Sequence, residues 1–456
     1  MSRSVVIVGG GIAGLTCAYE SHKAGARVVL LESSDRLGGK IVSDPVCGTV
    51  FEGGPDSFVT NRPWAVELVR ELGMGKDLLC TDRQNRGVYV LTRGRLRRYP
   101  EGLMLLAPTM MLPFLRSDFM PWKDKLRMAA ELLVPGGDPQ EDESLARFCR
   151  RRFGEEALET LVGPILASIH AGDPERLSLQ STFPQLKELE QRCGSVTRGM
   201  LAVRGRARVP GDLTLFATLA GGLSRIADAL RGKSPGAEFR LKAPAMSIER
   251  AGGKWRAGGV EADAVVLAAP AREAAELLSW DRALCAELSG VEYSSTAVVG
   301  LFYAGNAIPP ALDGHGFVVD RRERRRLLAA TFSSSKFPGR APEGKTVIRC
   351  FLGGAGREHV VAGPDSELVA SAVHELRGLL GLARDPLEAR VYRWPEANPQ
   401  YNVGHEARLR RLAAGLAGHP GLVLAGSSYR GVGLPECVRS GREAAKKALA
   451  GESGVC

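Results

Sequence analysis

The sequence lacks the features of a disulfide-bonded, zinc-binding or membrane-spanning protein. Its 9 cysteines are an odd number and include no Cys-x-x-Cys pair, so neither a disulfide framework nor a zinc ribbon is indicated. The longest uncharged run, residues 103–115, is too short for a membrane-spanning helix and contains two prolines. No secretory signal is recognisable, and His170 and His315 have no carboxylate or cysteine partner at ligand spacing. We therefore expect a cytoplasmic protein without a bound metal.

Aromatic residues are scarce, at 6% of the chain, whereas glycine is abundant, with 55 residues. The length of 456 residues, with 44% hydrophobic and 25% charged residues, is typical of a soluble globular chain with more than one domain. The formal net charge of +10 favours acidic partners such as phosphates, carboxylates or anionic lipid. A charge run at 321–326 is interpreted as a solvated turn between two strands, and no nucleic-acid partner is predicted.

The first forty residues carry the most specific pattern. An apolar run at 4–8 is followed by a glycine-rich turn and then by a helical stretch, which predicts a strand, a turn and a helix. Gly9 permits the tight turn, Gly11 lets a pyrophosphate approach the backbone, and Gly14 lets helix and strand pack closely. The N-terminus of the helix then supplies N–H donors to the anion.

A second predicted strand, at 26–31, ends in Glu32, eighteen residues after Gly14. An acidic side chain at this position can accept hydrogen bonds from an adenosine ribose, which indicates FAD or NAD rather than NADP. Residues 33–40 add a basic residue and a glycine pair, which would let a second loop lie along the pyrophosphate. The pattern therefore predicts a dinucleotide site.

The Glu-x-x-x-Arg-x-Gly-Gly segment at 32–39 resembles the FAD-dependent family that includes porphyrinogen oxidases, amine oxidases and phytoene desaturases. A strand at 421–425, a glycine turn and a helix near the C-terminus complete the resemblance, which makes FAD the expected cofactor. The resemblance places the adenine beside Ala245 and the flavin ring beside residues 53–56. The cofactor-binding residues that it implies are Gly9, Gly11, Ile12, Ala13, Gly14, Glu32, Ser33, Arg36, Gly38, Gly39, Lys40, Gly53, Gly54, Pro55, Asp56, Ala245, Trp394, Gly426, Gly431, Val432, Gly433 and Leu434.

Over nearly the whole chain the sequence is most similar to the protoporphyrinogen and coproporphyrinogen oxidase branch of that family. The segments that carry this similarity lie at 52–58, 93–100, 171–184 and 398–405. The resemblance implies that Arg86 pairs with a propionate of the substrate. A porphyrinogen carries carboxylates on an apolar macrocycle, so a guanidinium group beside apolar walls suits it. The substrate-binding residues implied in this way are Arg86, Ser168, His315, Val318, Thr331 and Asn398.

The resemblance also implies the chemistry. FAD takes two electrons per cycle, so the six-electron oxidation of protoporphyrinogen IX needs three cycles, with dioxygen as acceptor and hydrogen peroxide as product. The pyrroles of the macrocycle can release the protons, so no acid–base residue is assigned. Coproporphyrinogen III is the alternative substrate. Two further functions stay open, an amine oxidase-like enzyme and a non-catalytic FAD-binding protein of the haem pathway.

The predicted fold class is α/β, with a discontinuous Rossmann-like FAD-binding domain at 1–60, 205–290 and 404–456. A β-sheet substrate-binding domain is expected at 61–99 and 291–403, and a helical insert at 100–204. The insert fits two descriptions equally: a helical core, or a membrane-associating surface with arginines near lipid phosphates. In the second case the protein is peripheral on the cytoplasmic face of the membrane. The expected partners are the porphyrinogen, dioxygen and a ferrochelatase that receives the product.

Overall fold

A computed structural model describes residues 3–83, 87–100, 103–104, 107–108, 110–203, 212–305, 307–309 and 313–456. A parallel sheet forms one centre of this fold. Its inner strands are apolar and buried because helices cover both faces, as parallel sheets require. In spatial order its strands are Glu238–Arg240, Arg27–Leu31, Ser4–Val8, Ala264–Leu267, Leu422–Leu424 and Gly454–Val455.

Two groups of helices pack against this sheet. The helices that share the core of one face are Ile12–Lys23, Pro63–Glu71, Arg225–Gly232 and Leu434–Ala450. Those on the other face are Ala271–Leu277, Arg282–Ser289 and His405–Leu416. The carboxyl ends of the parallel strands therefore open between two helical layers, where ligands bind in sheets of this kind.

A second, largely antiparallel sheet forms the other centre. Its strands, in spatial order, are Glu388–Gln400, Glu292–Ala304, Lys345–Gly353, Leu327–Phe332, Gly316–Val319, Val88–Thr92 and Arg95–Arg98. Side chains alternate between its faces. Ile348 and Cys350 face the Asp365–Leu380 helix, whereas Val347 and Phe351 face Phe51 of the segment that follows the cofactor loops. This second face therefore lies toward the parallel sheet.

The helical insert packs around a separate apolar core that includes Phe148, Leu158 and Leu161. Its helices are Met111–Arg116, Trp122–Ala129, Leu145–Arg152, Glu155–Ala157, Gly163–Ile169, Leu179–Thr182, Pro184–Cys193 and Val196–Val203, with a π-helical turn at Leu158–Val162 and a 3-10 turn at Ala130–Leu133. Ion pairs from Arg321 to Glu159 and from Arg322 to Glu156 join this insert to the antiparallel sheet. Two arginines of the charge run are therefore ion-paired and not simply solvated.

Short elements complete the described chain. The remaining strands are Ser43–Val46 with Thr49–Glu52; Phe58–Val59, Phe216–Leu219 and Leu78–Cys80; Ile248–Ala251, Lys254–Ala257 and Val260–Ala262; and Leu103–Met104 with Ala107–Pro108. The remaining helical segments are Ser333–Lys336 and the 3-10 turns Gly75–Asp77, Arg321–Glu323 and Glu358–Ala362.

The mixed α/β class predicted from the sequence is confirmed. The segment around Ala245 is not part of a strand, since the next strand begins only at Ile248. The chain instead joins the parallel sheet earlier, through Glu238–Arg240. Neither this edge strand nor the Asp365–Leu380 helix was predicted.

Candidate cofactor and substrate site

The glycine turn after the first strand leaves room for an anion at one position only. A Cβ atom on Gly14 would lie 2.0 Å from the carbonyl oxygen of Gly9, and one on Gly9 would lie 2.8 Å from the carbonyl carbon of Ala268. Gly11, by contrast, faces open space. It caps the Ile12–Lys23 helix without a side-chain acceptor, so the first N–H groups of the helix are available. This geometry fits a pyrophosphate, as the spacing predicts.

Glu32 is held at the end of the neighbouring strand. Its carboxylate accepts the N–H of Gly10 at 2.6 Å and the N–H of Ser34 at 2.8 Å. The main-chain oxygen of Glu32 accepts the N–H of Ala243 at 2.9 Å, which brings the segment leading to Ala245 beside it. The Ser33 hydroxyl donates to the same carboxylate at 3.4 Å. Glu32 and Ala245 therefore lie at the same end of the cleft, where an adenosine fits.

The second glycine loop lies against the first. The N–H of Gly38 donates to the carbonyl of Gly10 at 2.9 Å, and a Cβ on Gly39 would lie 3.0 Å from the Cα of Gly11. Arg36 fixes this loop by donating to its carbonyls, including that of Gly39 at 2.6 Å. The Lys40 amine donates to the carbonyl of Ala397. The loop therefore links the glycine turn to the long strand Glu388–Gln400.

The C-terminal segment meets the glycine turn through a close helix contact. A Cβ on Gly441 would lie 2.3 Å from the carbonyl oxygen of Ala13, so the Ile12–Lys23 and Leu434–Ala450 helices cross without intervening side chains. The N–H of Gly426 donates to Ser440 Oγ at 2.8 Å. Gly431 has a φ of +92°, and Gly433 caps the helix, which places Val432 and Leu434 at its N-terminus. The two ends of the sequence thus form one cleft.

The loop at 53–56 is held from the antiparallel sheet. Trp394 Nε1 donates to the carbonyl of Gly53 at 2.8 Å, and Arg349 donates to the carbonyl of Gly54. A Cβ on Gly54 would lie 1.8 Å from the carbonyl oxygen of Lys40, so Pro55 and its neighbours run directly beside the second glycine loop. The predicted flavin residues are therefore brought together.

Asp56 lies between two cations, Arg349 on a strand of the antiparallel sheet and Lys336 in the short helix Ser333–Lys336. Its carboxylate is 3.0 Å from Lys336 Nζ and 3.1 Å from the Arg349 guanidinium. Burial alone would raise the pKa of Asp56, but Lys336 and Arg349 hold it well below its usual range. Neither partner was predicted. For Arg349 the signal in the sequence is its position in the middle of the otherwise apolar strand Lys345–Gly353, because a charge buried there needs a partner.

Three of the predicted substrate residues, His315, Val318 and Thr331, lie on or next to the adjoining strands Gly316–Val319 and Leu327–Phe332. Gly316, next to His315, pairs with Thr331, and Val318 packs against the core of the helical insert. The N–H of His315 donates to the carbonyl of Gly87 at 2.7 Å. Arg86 itself lies outside the described residues.

Ser168 and Asn398 approach from different sides. The Gly163–Ile169 helix, which carries Ser168, contacts the strands of Val318 and Thr331, and the Ser168 hydroxyl donates to its own helix at 2.6 Å. Asn398 lies on the third strand from that of Thr331 and, by the strand registers, about six residues farther along the sheet; it donates to Thr296 Oγ1 at 3.1 Å. These residues therefore border a broad space over the sheet.

The histidines of this region are neutral near pH 7. Burial and the nearby Lys336 lower the pKa of His315, whose Nε2 is buried and has no hydrogen-bond partner among the described residues. Burial lowers the pKa of His170 to about 4, and its ring packs against Phe183 and Tyr401. His170 therefore has the surroundings of a core residue.

Within the described ranges, no group of three or more His, Cys, Asp or Glu side chains could hold a metal ion. In the same ranges, no helix is both long and apolar enough to cross a membrane.

Residues 12–449 match the family model described as flavin containing amine oxidoreductase. The chain is 33% identical to the coproporphyrinogen III oxidase of Bacillus subtilis (strain 168), over 98% of each chain. It is 34% identical to the protoporphyrinogen oxidase of Homo sapiens, over 99% of each chain. A solved structure of an Exiguobacterium sp. 255-15 protein, proposed to be a protoporphyrinogen oxidase, superposes with a TM-score of 0.88 at 31% identity over 99% of both chains.

Proposed function

The chain belongs to the family of flavin-containing amine oxidoreductases, and from this membership and the geometry of the cleft we propose that it oxidises a porphyrinogen to the corresponding porphyrin. One observation carries the proposal. Trp394, Arg349 and Lys336 bind the 53–56 loop, and they thereby join the dinucleotide cleft to the face of the antiparallel sheet on which the predicted substrate residues lie. A flavin at the end of the cleft would then face the space outlined by the substrate residues.

Different residues would hold the different parts of FAD. Glu32 and the segment of Ala245 would take the adenosine, and Gly11 with the helix that it caps would take the pyrophosphate. The 53–56 loop and the N-terminus of the Leu434–Ala450 helix would border the ring. Bound FAD supplies a two-electron acceptor, so complete oxidation of a porphyrinogen, which loses six electrons, needs three cycles.

The chain itself would contribute to the reaction by binding and orienting the substrate. Arg86 would pair with a propionate, while Val318 and Thr331 would border the macrocycle on one side and Asn398 on the other. His315 is neutral and half-buried, which suits a wall of the pocket. We assign no acid or base, because pyrrole nitrogens can release protons to water once the bridging carbon is oriented.

Protoporphyrinogen IX is the substrate expected from the sequence. Coproporphyrinogen III is the second candidate, and the Bacillus subtilis relative is named for its oxidation. The two substrates differ by two propionates in place of two vinyl groups, so the number of cations that face the substrate should decide between them.

The proposal is tested by aerobic turnover. We expect the FAD-loaded protein to convert one of the two porphyrinogens to a fluorescent porphyrin, consuming three dioxygen molecules and forming three of hydrogen peroxide per porphyrin. The kcat/KM for each substrate then decides between them. Turnover of a primary amine with no turnover of either porphyrinogen would reject the proposal in favour of an amine oxidase. Dioxygen as the acceptor, and transfer of the product to a ferrochelatase, belong to the same proposal.

We further propose that the helical insert rests on a lipid surface. Trp122 and Leu126 on the Trp122–Ala129 helix and Leu133 in the 3-10 turn that follows it have exposed fractions of 61%, 67% and 83%, and Arg116 and Lys123 of the same insert are also exposed. An apolar face flanked by cations suits anionic headgroups. Co-sedimentation with vesicles containing phosphatidylglycerol should fall in the L126S/L133S variant.

The domain division at 1–60, 61–99, 100–204, 205–290, 291–403 and 404–456 stays a prediction.

A further inference from the structure

A basic hollow lies on the face of the antiparallel sheet that is turned away from the cofactor cleft. Its volume is about 350 Å³. Cationic side chains from the turn before strand Leu327–Phe332 and from the 357–359 segment line it, together with one carboxylate at the start of the Asp365–Leu380 helix. The residues that matter are Arg324, Arg325, Arg326, Arg357, His359 and Glu367.

The hollow has more cations than the chain itself neutralises. Arg326 is paired with Glu367, at 2.6 Å. Arg324 and Arg325 have no carboxylate partner in the described part of the chain, and Arg357 donates only to the carbonyl of Arg325, at 2.7 Å. The two arginines at the start of the same run, by contrast, both pair with carboxylates. Three guanidinium groups in one concave space therefore have no carboxylate to neutralise them in the described part of the chain.

Like charges held together are unfavourable unless an anion joins them, and a cleft of one sign concentrates counter-ions. Guanidinium groups bind carboxylate or phosphate oxygens through two parallel hydrogen bonds, so oxyanions are their best partners. The backbone of this turn is also fixed. The N–H of Arg326 donates to Glu375 at 2.7 Å, and Arg324 has a φ of +51°, which non-glycine residues seldom adopt.

We propose that this hollow binds a small oxyanion with two or more negative charges, of the phosphate or polycarboxylate class. The site is separate from the cofactor cleft. The Asp365–Leu380 helix packs on the face of Ile348 and Cys350, whereas Trp394 and Phe51 belong to the opposite face. An occupant of the hollow therefore does not compete with FAD.

The test uses the FAD-loaded protein, whose own pyrophosphate site is then filled. Inorganic pyrophosphate and, separately, citrate are titrated by calorimetry at low ionic strength, where exposed charges are least screened. We expect saturable binding of at least one of them with one site per chain. The R324Q/R325Q variant should weaken this binding at least tenfold.

The matched control is R282Q/R410Q, which removes the same charge from two exposed arginines on helices that pack against the parallel sheet. Its affinity should stay within twofold of the wild type. Binding of pyrophosphate alone identifies a phosphate ligand, and binding of both anions identifies general oxyanion recognition. No saturable binding by the wild type, or an equal loss in the control, overturns the proposal.

A second measurement covers the case in which R324Q/R325Q fails to fold. Hydrogen exchange of the wild-type protein is followed with and without the anion that binds. Slower exchange confined to 321–327 and 356–368 supports the site, and protection elsewhere with none in these segments contradicts it. Because FAD stays bound throughout, neither outcome depends on which porphyrinogen the protein oxidises.

Discussion

Arg349 and Asp56 form a buried ion pair, 3.1 Å between guanidinium nitrogen and carboxylate oxygen, that joins the antiparallel sheet to the loop beside the cofactor cleft. Arg349 is only 2% exposed, and Lys336 shares the same carboxylate. One aspartate therefore balances two cations at the meeting point of the two sheets. Removal of that aspartate should affect both the fold and the cleft.

We predict that D56N lowers the free energy of unfolding by about 3–5 kcal/mol, because two buried cations lose their counter-charge. The control is D385N, which breaks the exposed pair with Arg377 and should cost less than about 1 kcal/mol. Urea unfolding of both variants measures the difference. Equal losses in the two would show that the buried pair has no special role.

The Asp56 carboxylate should also make the free energy of unfolding decrease in acid. The pKa of Asp56 is lower in the folded than in the unfolded protein, so its contribution is complete above the unfolded value of about 3.8 and is lost as the pH falls through the folded pKa. D56N should lack this part of the loss between about pH 4 and pH 2. A wild-type acid limb that is unchanged in D56N would contradict the assignment.

Gly11 and Gly14 should respond to alanine in different ways. A Cβ at Gly14 meets backbone at 2.0 Å, so G14A should destabilise the fold by several kcal/mol. A Cβ at Gly11 meets no protein atom, so G11A should fold but purify with at least tenfold less FAD. Flavin absorbance and thermal unfolding measure both effects. G232A, in open space, is the control and should change neither.

Glu32 is expected to contribute to FAD affinity through its charge. E32Q should raise the dissociation constant for FAD about 10- to 100-fold, because the ribose hydroxyls would lose a charged acceptor and the Gly10 and Ser34 N–H groups that hold this side chain would donate to a weaker one. Recovery of flavin fluorescence on dilution measures release. E238Q, on the neighbouring edge strand, is the control. If E32Q binds FAD as the wild type does, the ribose lies elsewhere.

His170 should account for part of the stability lost in mild acid. Its pKa falls from 6.5 in the unfolded chain to about 4 in the folded one, so the unfolded state binds more protons between these values. The stabilisation is therefore complete above pH 6.5 and decreases as the pH falls toward 4. H170F, which keeps a ring against Phe183 and Tyr401, should flatten this limb in urea titrations at several pH values. H374Q, at an exposed position, should not.

The parts of the site that sequence predicts well are those in which the chemistry is local. Gly9, Gly11 and Gly14 lie within six residues; the structure leaves no room for a side chain at Gly9 and Gly14 and open space at Gly11. Trp394, by contrast, reaches Gly53 across 341 positions of the chain. Its place in the site came only from the family resemblance, since no periodicity links such distant residues.

The missed elements have physical reasons as well. Glu238–Arg240 has only three residues, exposed or half-buried, so it lacks the apolar run that marks an inner strand. It forms because an edge strand needs hydrogen bonds from one neighbour only. Arg324 and Arg325 belong to a charge run that the sequence presents as solvated, and only the folded turn shows that they share a hollow with Arg357.

The most direct test of the central claim is anaerobic mixing of the FAD-loaded protein with protoporphyrinogen IX and with coproporphyrinogen III. The proposed function predicts that one of them bleaches the flavin absorbance within a single turnover, and that porphyrin fluorescence rises in step with reoxidation when air is admitted. If neither substrate bleaches a fully occupied flavin, the protein does not oxidise porphyrinogens, and the cleft serves another reaction.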